Sequence, residues 1–365
     1  MAEGSAQGNF FEDFRVGQVL EHRGGRTITE GDCAVYLSLT GDRNRLFCDA
    51  EYAKLRGYRG MLVNDLLVFH VVFGQTVPDV SRNAVANLGY ADVRFRTPVY
   101  PGDTLRTTTE VIGVRENKNG KSGIVYVQSR ATNQQGETVL EYYRWVMVRK
   151  RDEKSPAPKE DVPNLRKEIS PFQLVHCAAT IPPAAGNAAE GGFFEDYKEG
   201  QAIIHGAGMT IEEAEHASAT RLYQNTAAVH FDGHAMKETE GGRRLVYGGH
   251  VISVARALQF DGLENAERIL GWNGGTHANP TYAGDTIYAR TIVREKHTTF
   301  AKLGGILRVQ LYAIKNIHPG ETVKLVEVTS KAGEPEPKRT YHPNVVLDLD
   351  YYVFVPNRSA AKAQG

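Results

Sequence analysis

Two stretches of this chain carry side chains whose types and spacing could move a proton. Arg221–Asp232, RLYQNTAAVHFD, sets an amide, Asn225, five residues ahead of an imidazole, His230. Tyr36–Asp49, YLSLTGDRNRLFCD, is its counterpart: Asp42 falls on Asn225, Asn44 on Ala227, Phe47 on His230 and Asp49 on Asp232. Imidazole titrates near neutrality and serves as acid or base. An ionised carboxylate accepts a proton, whereas an amide orients but does not accept one. One copy therefore keeps the His without the Asp, and the other keeps Asp42 and Asn44 without the His. Blander roles exist for each. A loop histidine is commonly a polar surface residue, and Asn after a helix, or Gly-Asp followed by Asn, makes a good turn.

The elements that must hold these residues form a repeat. FFEDF at Phe10–Phe14 returns as FFEDY at Phe193–Tyr197, Leu88-Gly89-Tyr90 as Leu270-Gly271-Trp272, and Gly136-Glu-Thr-Val139 as Gly320-Glu-Thr-Val323. Pro98-Val-Tyr-Pro-Gly-Asp-Thr104 likewise returns as Pro280-Thr-Tyr-Ala-Gly-Asp-Thr286. Anchors in one order and at nearly constant offset mean a tandem duplication. The expected units are 1–153 and 193–365. Between them runs 154–192, rich in Pro, Ala and Gly, which reads as a linker over the surface.

Each unit predicts the same order of elements. A polar-apolar helix comes first (Glu30–Leu39; Ile211–Tyr223), then the motif, then a long apolar helix (Gly60–Gly74; Gly249–Phe260). Strands follow at Arg106–Arg115, Gly123–Thr132 and Thr138–Arg149. Their second-unit counterparts are expected at Tyr288–Lys296, Leu307–Ile314 and Thr322–Lys331. A long apolar helix against sequential antiparallel hairpins is an α+β packing. Wrapped around its helix, such a sheet is a hotdog, and two copies predict a double hotdog.

Bulk properties narrow the function. At 365 residues, with Lys+Arg and Asp+Glu balanced at 43 each, no net field favours nucleic acid or an acidic membrane. Cys33, Cys48 and Cys177 are scattered, which disfavours a disulfide framework or zinc ribbon and suits a reducing cytosol. His70, His234, His250 and His277 share no metal-ligand spacing, so no metal is expected. The N-terminal residues lack a basic and an apolar signal region, and Met61–Gly74 is too short to span a bilayer. A soluble, cytoplasmic protein is expected.

Gly41-Asp-Arg-Asn-Arg-Leu-Phe47 resembles the hydratase signature Gly-Asp-x-Asn-Pro-Leu-His of the MaoC-like enoyl-CoA hydratases, and Asn225–His230 resembles its other half. Thr76–Asp79, Asn83–Tyr90 and Glu141–Asp152 are similar to the branch of that family acting on mesaconyl-CoA. The resemblance implies a CoA thioester substrate, no metal or organic cofactor, and reversible hydration of mesaconyl-C1-CoA to β-methylmalyl-CoA. It implies His230 as acid/base, with Asn225 orienting water or the imidazole. It also implies Gly249 at the start of the apolar helix as backbone donor to the thioester oxygen, with Gly60 matching it by position. Asp42, Asn44 and Gly60 stand as a second or accessory site. Asp232 is a candidate for the carboxylate that Asn225 replaces, although the family places no catalytic role there. Arg221, Arg243, Arg244, Arg256, Arg43 and Arg45 are the candidates for the substrate's free carboxylate. Hydration of another enoyl-CoA, a hotdog thioesterase and a non-catalytic acyl-CoA binder remain open. A homodimer is the default assembly.

Overall fold

The computed structural model describes residues 8–178, 181, 191–239, 241–298, 303–318, 320, 324–329 and 338–361. The first unit opens with strands β1 (Val19–Glu21) and β2 (Arg26–Thr27) and helices α1 (Glu30–Thr40), α2 (Arg45–Cys48) and α3 (Ala50–Leu55). The central helix α4 (Asp65–Thr76) follows, then β3 (Ala84–Phe95), β4 (Thr104–Glu116), β5 (Ser122–Thr132) and β6 (Thr138–Arg149). After α5 (Pro171–Ala178) the second unit runs β7 (Ala202–Thr210), α6 (Glu213–Leu222), α7 (Ala228–Phe231) and α8 (Gly248–Leu258). It continues with β8 (Ile269–Thr276), β9 (Thr286–Thr298), β10 (Gly304–Lys315), β11 (Val326–Thr329), β12 (Lys338–Tyr341) and β13 (Val345–Pro356).

The two halves share one 11-stranded sheet, ordered β1-β4-β5-β6-β3-β8-β13-β10-β9-β7, with β2 on β4. Every pairing is antiparallel. Within the sheet, among the described residues, the halves pair where β3 meets β8, at Val93↔Trp272 and Arg94↔Gly271. Helices α4 and α8 lie in one continuous core drawn from both halves. Apart from Gln75, α4 is buried all round, as a helix that is apolar on every face must be. The helices are joined at buried Ser253, whose hydroxyl lies 2.8 Å from His70 Nε2 and accepts from the Tyr36 hydroxyl at 2.9 Å. This is the α+β double hotdog expected from the repeat.

Three local expectations need correction. The first apolar helix begins at Asp65, not Gly60, because Asn64 caps it: its Oδ1 accepts from Leu66 N at 2.9 Å. The second begins at Gly248 and ends at Leu258. The strand expected over 322–331 is no part of the large sheet. Its described portion, β11, pairs with β12 in a separate hairpin, and β13 takes the place next to β10. Residues 322–323 and 330–331 lie outside the described residues. The segment 154–192 does not simply drape over the surface. Asp161 bridges to Val114, and Ile169, Leu174, Cys177 and Ile181 pack on Leu270, Ile306, Tyr352 and Phe354. Its Ala/Gly-rich stretch over 182–190 lies outside the described residues.

Candidate active site

The two motif stretches fold alike. Asp42 Oδ1 accepts from Asn44 N at 2.9 Å, and Asn225 Oδ1 accepts from Ala227 N at 3.1 Å, so both residues fix the same turn into a short helix, α2 or α7. The turn needs a side-chain oxygen two residues before the helix cap, which Asp and Asn supply equally. Beyond that turn the copies diverge.

In the first copy the motif is consumed by the fold. Asp42 Oδ2 accepts from Asn64 Nδ2 at 2.7 Å, which ties the carboxylate to the capped start of α4. Asn44 caps α2 and donates from Nδ2 to the carbonyls of Ala266 (2.9 Å) and Glu267 (3.2 Å). Phe47 is packed among Leu46, Tyr52, Ala53, Tyr58 and Leu62. Around it lie buried ion pairs across the halves, Arg56–Glu267 at 2.6 Å and Arg268–Asp65 at 2.9 Å. Gly60 sits five residues before α4 starts.

In the second copy the same position opens on a cavity of about 670 Å³. It lies where β3 and β8 part company, between Ser81–Asn87 on one side and His277–Thr281 on the other. Asn225, His230, Tyr247, Gly248 and His277 line it, with Val77, Val229, Leu245, Val246, Val251 and Val346 supplying apolar wall. The cap at the start of α8 is Tyr247, which offers no side-chain hydrogen bond. Since the amides of His250 and Val251 both turn back to Tyr247 O, the donors left at the helix start are those of Gly248 and Gly249. The positive end of the helix dipole adds to them.

His230 is half-buried on α7. Its Nδ1–H donates to the Leu245 carbonyl at 2.9 Å, which leaves Nε2 with the free lone pair. Loss of solvation pushes His230 down to about 4; the Leu245 carbonyl pulls it back up, and the nearby His216 lowers it further. His277 is also pushed down to about 4 by desolvation, with His230 as the second cause. Both rings are neutral at pH 7. With Oδ1 engaged by Ala227, Asn225 has its NH₂ left as a donor.

The helix start is glycine for reasons of space. A Cβ on Gly248 would meet His277 Cε1 at 2.5 Å, and one on Gly249 would meet the Tyr247 ring at 2.5 Å and His70 Cε1 at 2.7 Å. Gly248, not Gly249, forms the cavity wall. Asp232 faces elsewhere: its Oδ1 accepts from His234 N and Ala235 N, both at 3.0 Å. The arginines proposed from the sequence are engaged away from the cavity. Arg43 pairs with Asp261 at 2.8 Å, Arg45 with Asp49 at 3.4 Å, and Arg244 with Glu213. Arg221 bonds Ala217 O, Arg243 stacks on Tyr282, and Arg256 bonds Ala266 O. The arginines that do line the cavity are Arg82 and Arg149, both solvent-exposed.

His277 is the residue that motif reasoning passed over. A signal was there: the register that sets Pro98 on Pro280 also sets Phe95 on His277. Both cavity imidazoles, His230 and His277, are thus Phe in the first copy. Among the described residues no group of three or more His, Cys, Asp or Glu is placed to hold a metal ion. No helix among them is long and apolar enough to cross a membrane.

Comparison with known proteins bears on the same chain. The sequence profile described as mesaconyl-CoA hydratase matches residues 1–317. The chain is 50% identical over 355 residues to the β-methylmalyl-CoA dehydratase of Chloroflexus aurantiacus, covering 96% of this chain and 98% of that one. It is 47% identical over 357 residues to the mesaconyl-CoA hydratase of Cereibacter sphaeroides, with the same shares of 96% and 98%. The crystal structure of a MaoC domain protein dehydratase from Chloroflexus aurantiacus superposes with a TM-score of 0.85 at 47% identity, covering 98% of this chain and 100% of that one. A double-hotdog protein from Mycobacterium tuberculosis superposes at 0.68 with 25% identity, covering 95% and 98%. With a family profile over most of its length and relatives near half identical along almost all of theirs, this chain belongs to the mesaconyl-CoA hydratase family.

Proposed function

We propose that the chain reversibly hydrates mesaconyl-C1-CoA to β-methylmalyl-CoA, and that it does so in the second-copy cavity. The observation that carries the location is the contrast between the two helix starts. Asn64 and Asp42 close the start of α4, while the start of α8 has no side-chain cap and Gly248 stands on the cavity wall beside two imidazoles.

Adding water to an α,β-unsaturated thioester needs a base for the water, an acid for the α-carbon, and donors where enolate charge builds on the thioester oxygen. His230 Nε2 takes a proton from water as the water oxygen bonds to the β-carbon. Asn225 Nδ2 holds that oxygen, and the N–H groups of Gly248 and Gly249 receive the enolate. The imidazolium then gives its proton to the α-carbon, so one water is consumed and His230 returns neutral. The environment that holds His230 near 4 makes its conjugate acid strong, which favours this second transfer. Dehydration follows the same path backwards. The apolar wall suits the acyl and pantetheine portions, and Arg82 and Arg149 are the cations available to CoA phosphates.

Incubation of the purified protein with mesaconyl-CoA tests the reaction, following enone absorbance and free thiol together. Loss of absorbance without thiol release is expected. Thiol release indicates a thioesterase, and tight binding with neither change indicates an acyl-CoA binder.

A further inference from the structure

One cation in this molecule stands where a core residue belongs. Along β6 the inward positions read Leu140, Tyr142, Arg144, Val146 and Val148, all buried, and the alternation of a strand calls for an apolar residue at the third of them. Arg144 is fully buried, and Nε, Nη1 and Nη2 have no hydrogen-bond partner among the described residues. It stands out from the other deeply buried arginines, for Arg56 is paired with Glu267 and Arg268 with Asp65.

Arg144 lies behind the cavity wall and is not itself part of the lining, but its neighbours are. The guanidinium lies 4.3 Å over the ring of Phe73 and directly opposite Tyr90 in the β3–β6 ladder. Its charge acts on the phenols of Tyr90 and Tyr247. Phe73, Tyr90 and Tyr247 all line the cavity. Tyr247 in turn stacks against His230, ring centroids 5.5 Å apart, and against Phe73 at 5.6 Å. The Tyr142 and Tyr247 hydroxyls in this region are likewise buried without a partner among the described residues, and the Asn87 amide, beside Tyr90, lines the cavity. A buried unpaired cation is costly, and stacking on an aromatic face offsets only part of that cost. An unpaired guanidinium with hydroxyl donors beside it is the complement of an anion.

We propose that Arg144 binds the free carboxylate of the substrate, and so selects a dicarboxylic enoyl thioester over its methyl-terminated analogue. The carboxylate approaches past the Phe73 and Tyr90 rings, which must turn aside to admit it. It takes two parallel N–H bonds from the guanidinium, with the hydroxyls of Tyr142 and Tyr247 and the Asn87 amide as further donors. The inference rests on the cavity being the mesaconyl-CoA site. It goes beyond that reading in assigning the cation.

The test compares kcat/KM for mesaconyl-CoA with that for 2-methylcrotonyl-CoA, in which a methyl group replaces the carboxylate, for the native protein, Arg144→Met and Arg144→Lys. The ratio is expected to fall at least about 100-fold in Arg144→Met, because a site built to pair a polar group discriminates strongly. Arg144→Lys should recover part of it. The thermal midpoint of Arg144→Met should hold or rise, since an unpaired buried charge has been replaced by an apolar side chain. If Arg144→Met does not fold, the ratio in Arg144→Lys decides, with a fall of about tenfold expected from loss of the bidentate fork. An unchanged ratio overturns the assignment. Absence of mesaconyl-CoA turnover by the native protein would instead remove the reading on which it rests.

Discussion

The Nδ1–H of His230 is held by the carbonyl of Leu245 at 2.9 Å, so the imidazole has one tautomer and one free nitrogen. Because His230 and His277 are each pushed down to about 4, the neutral base persists well below neutrality. The acid limb of kcat/KM for hydration is therefore expected near pH 4, with a flat rate from about pH 5.5 to 7. The two rings interact, so this limb belongs to the pair. A limb near the ordinary histidine value of about 6.5 would show that His230 is solvated in the working enzyme.

The same shifts govern stability. His230, His250 and His277 are all pushed down to about 4, desolvation being the first cause in each. The unfolded chain binds these protons below about 6.5, while the folded chain does not until about 4. Between those values the unfolded state holds more protons, so stability rises with pH. It is fully present above about 6.5 and is lost as pH falls toward 4. Urea midpoints measured from pH 7 to pH 4 should fall through this window, and a flat profile would contradict the burial of these rings.

Gly248 is expected to tolerate no side chain. In Gly248→Ala the new Cβ meets His277 at 2.5 Å, and the ring or the helix start must move. Overpacking of this kind costs about 1–3 kcal/mol. Displacing an oxyanion donor should lower kcat by about 10²–10³. Steady-state kinetics with a thermal melt separate the two effects; an unchanged kcat would remove Gly248 from the oxyanion site.

The buried ion pair beside the first-copy motif is expected to matter for folding and not for turnover. Glu267→Ala removes the carboxylate that pairs with the buried Arg56 at 2.6 Å and accepts from the Tyr52 hydroxyl. A loss of about 3–5 kcal/mol in unfolding free energy is expected, with kcat per folded molecule close to native. Denaturant titration alongside active-site-normalised rates checks both.

The repeat, the α+β double hotdog and the two motif stretches were legible because they rest on local pattern: matched anchors, helical periodicity and strand alternation. What escaped the sequence depends on distant partners. Asn64 shifts the start of the first long helix by five residues through one side-chain bond, which its apolar run does not reveal. The final sheet strand was missed because β11 and β12 form an inserted hairpin before β13 rejoins the sheet. His277 carries no motif of its own; the repeat register marks it against Phe95, and its packing on Gly248 gives it meaning. Arg144 falls in the strand expected over Thr138–Arg149, but its inward burial and its lack of a partner among the described residues come from the structure.

Whether the work is done by the second copy is tested most directly by two variants measured on mesaconyl-CoA. His230→Ala removes the imidazole from a half-buried position. Asp42→Asn keeps the side-chain oxygen that fixes the turn to Asn44 while removing the first-copy carboxylate. With rates normalised to folded protein, His230→Ala should lose about 10²–10⁴ in kcat, while Asp42→Asn keeps most of its activity. An inactive Asp42→Asn beside an active His230→Ala would put the chemistry in the other half of the molecule.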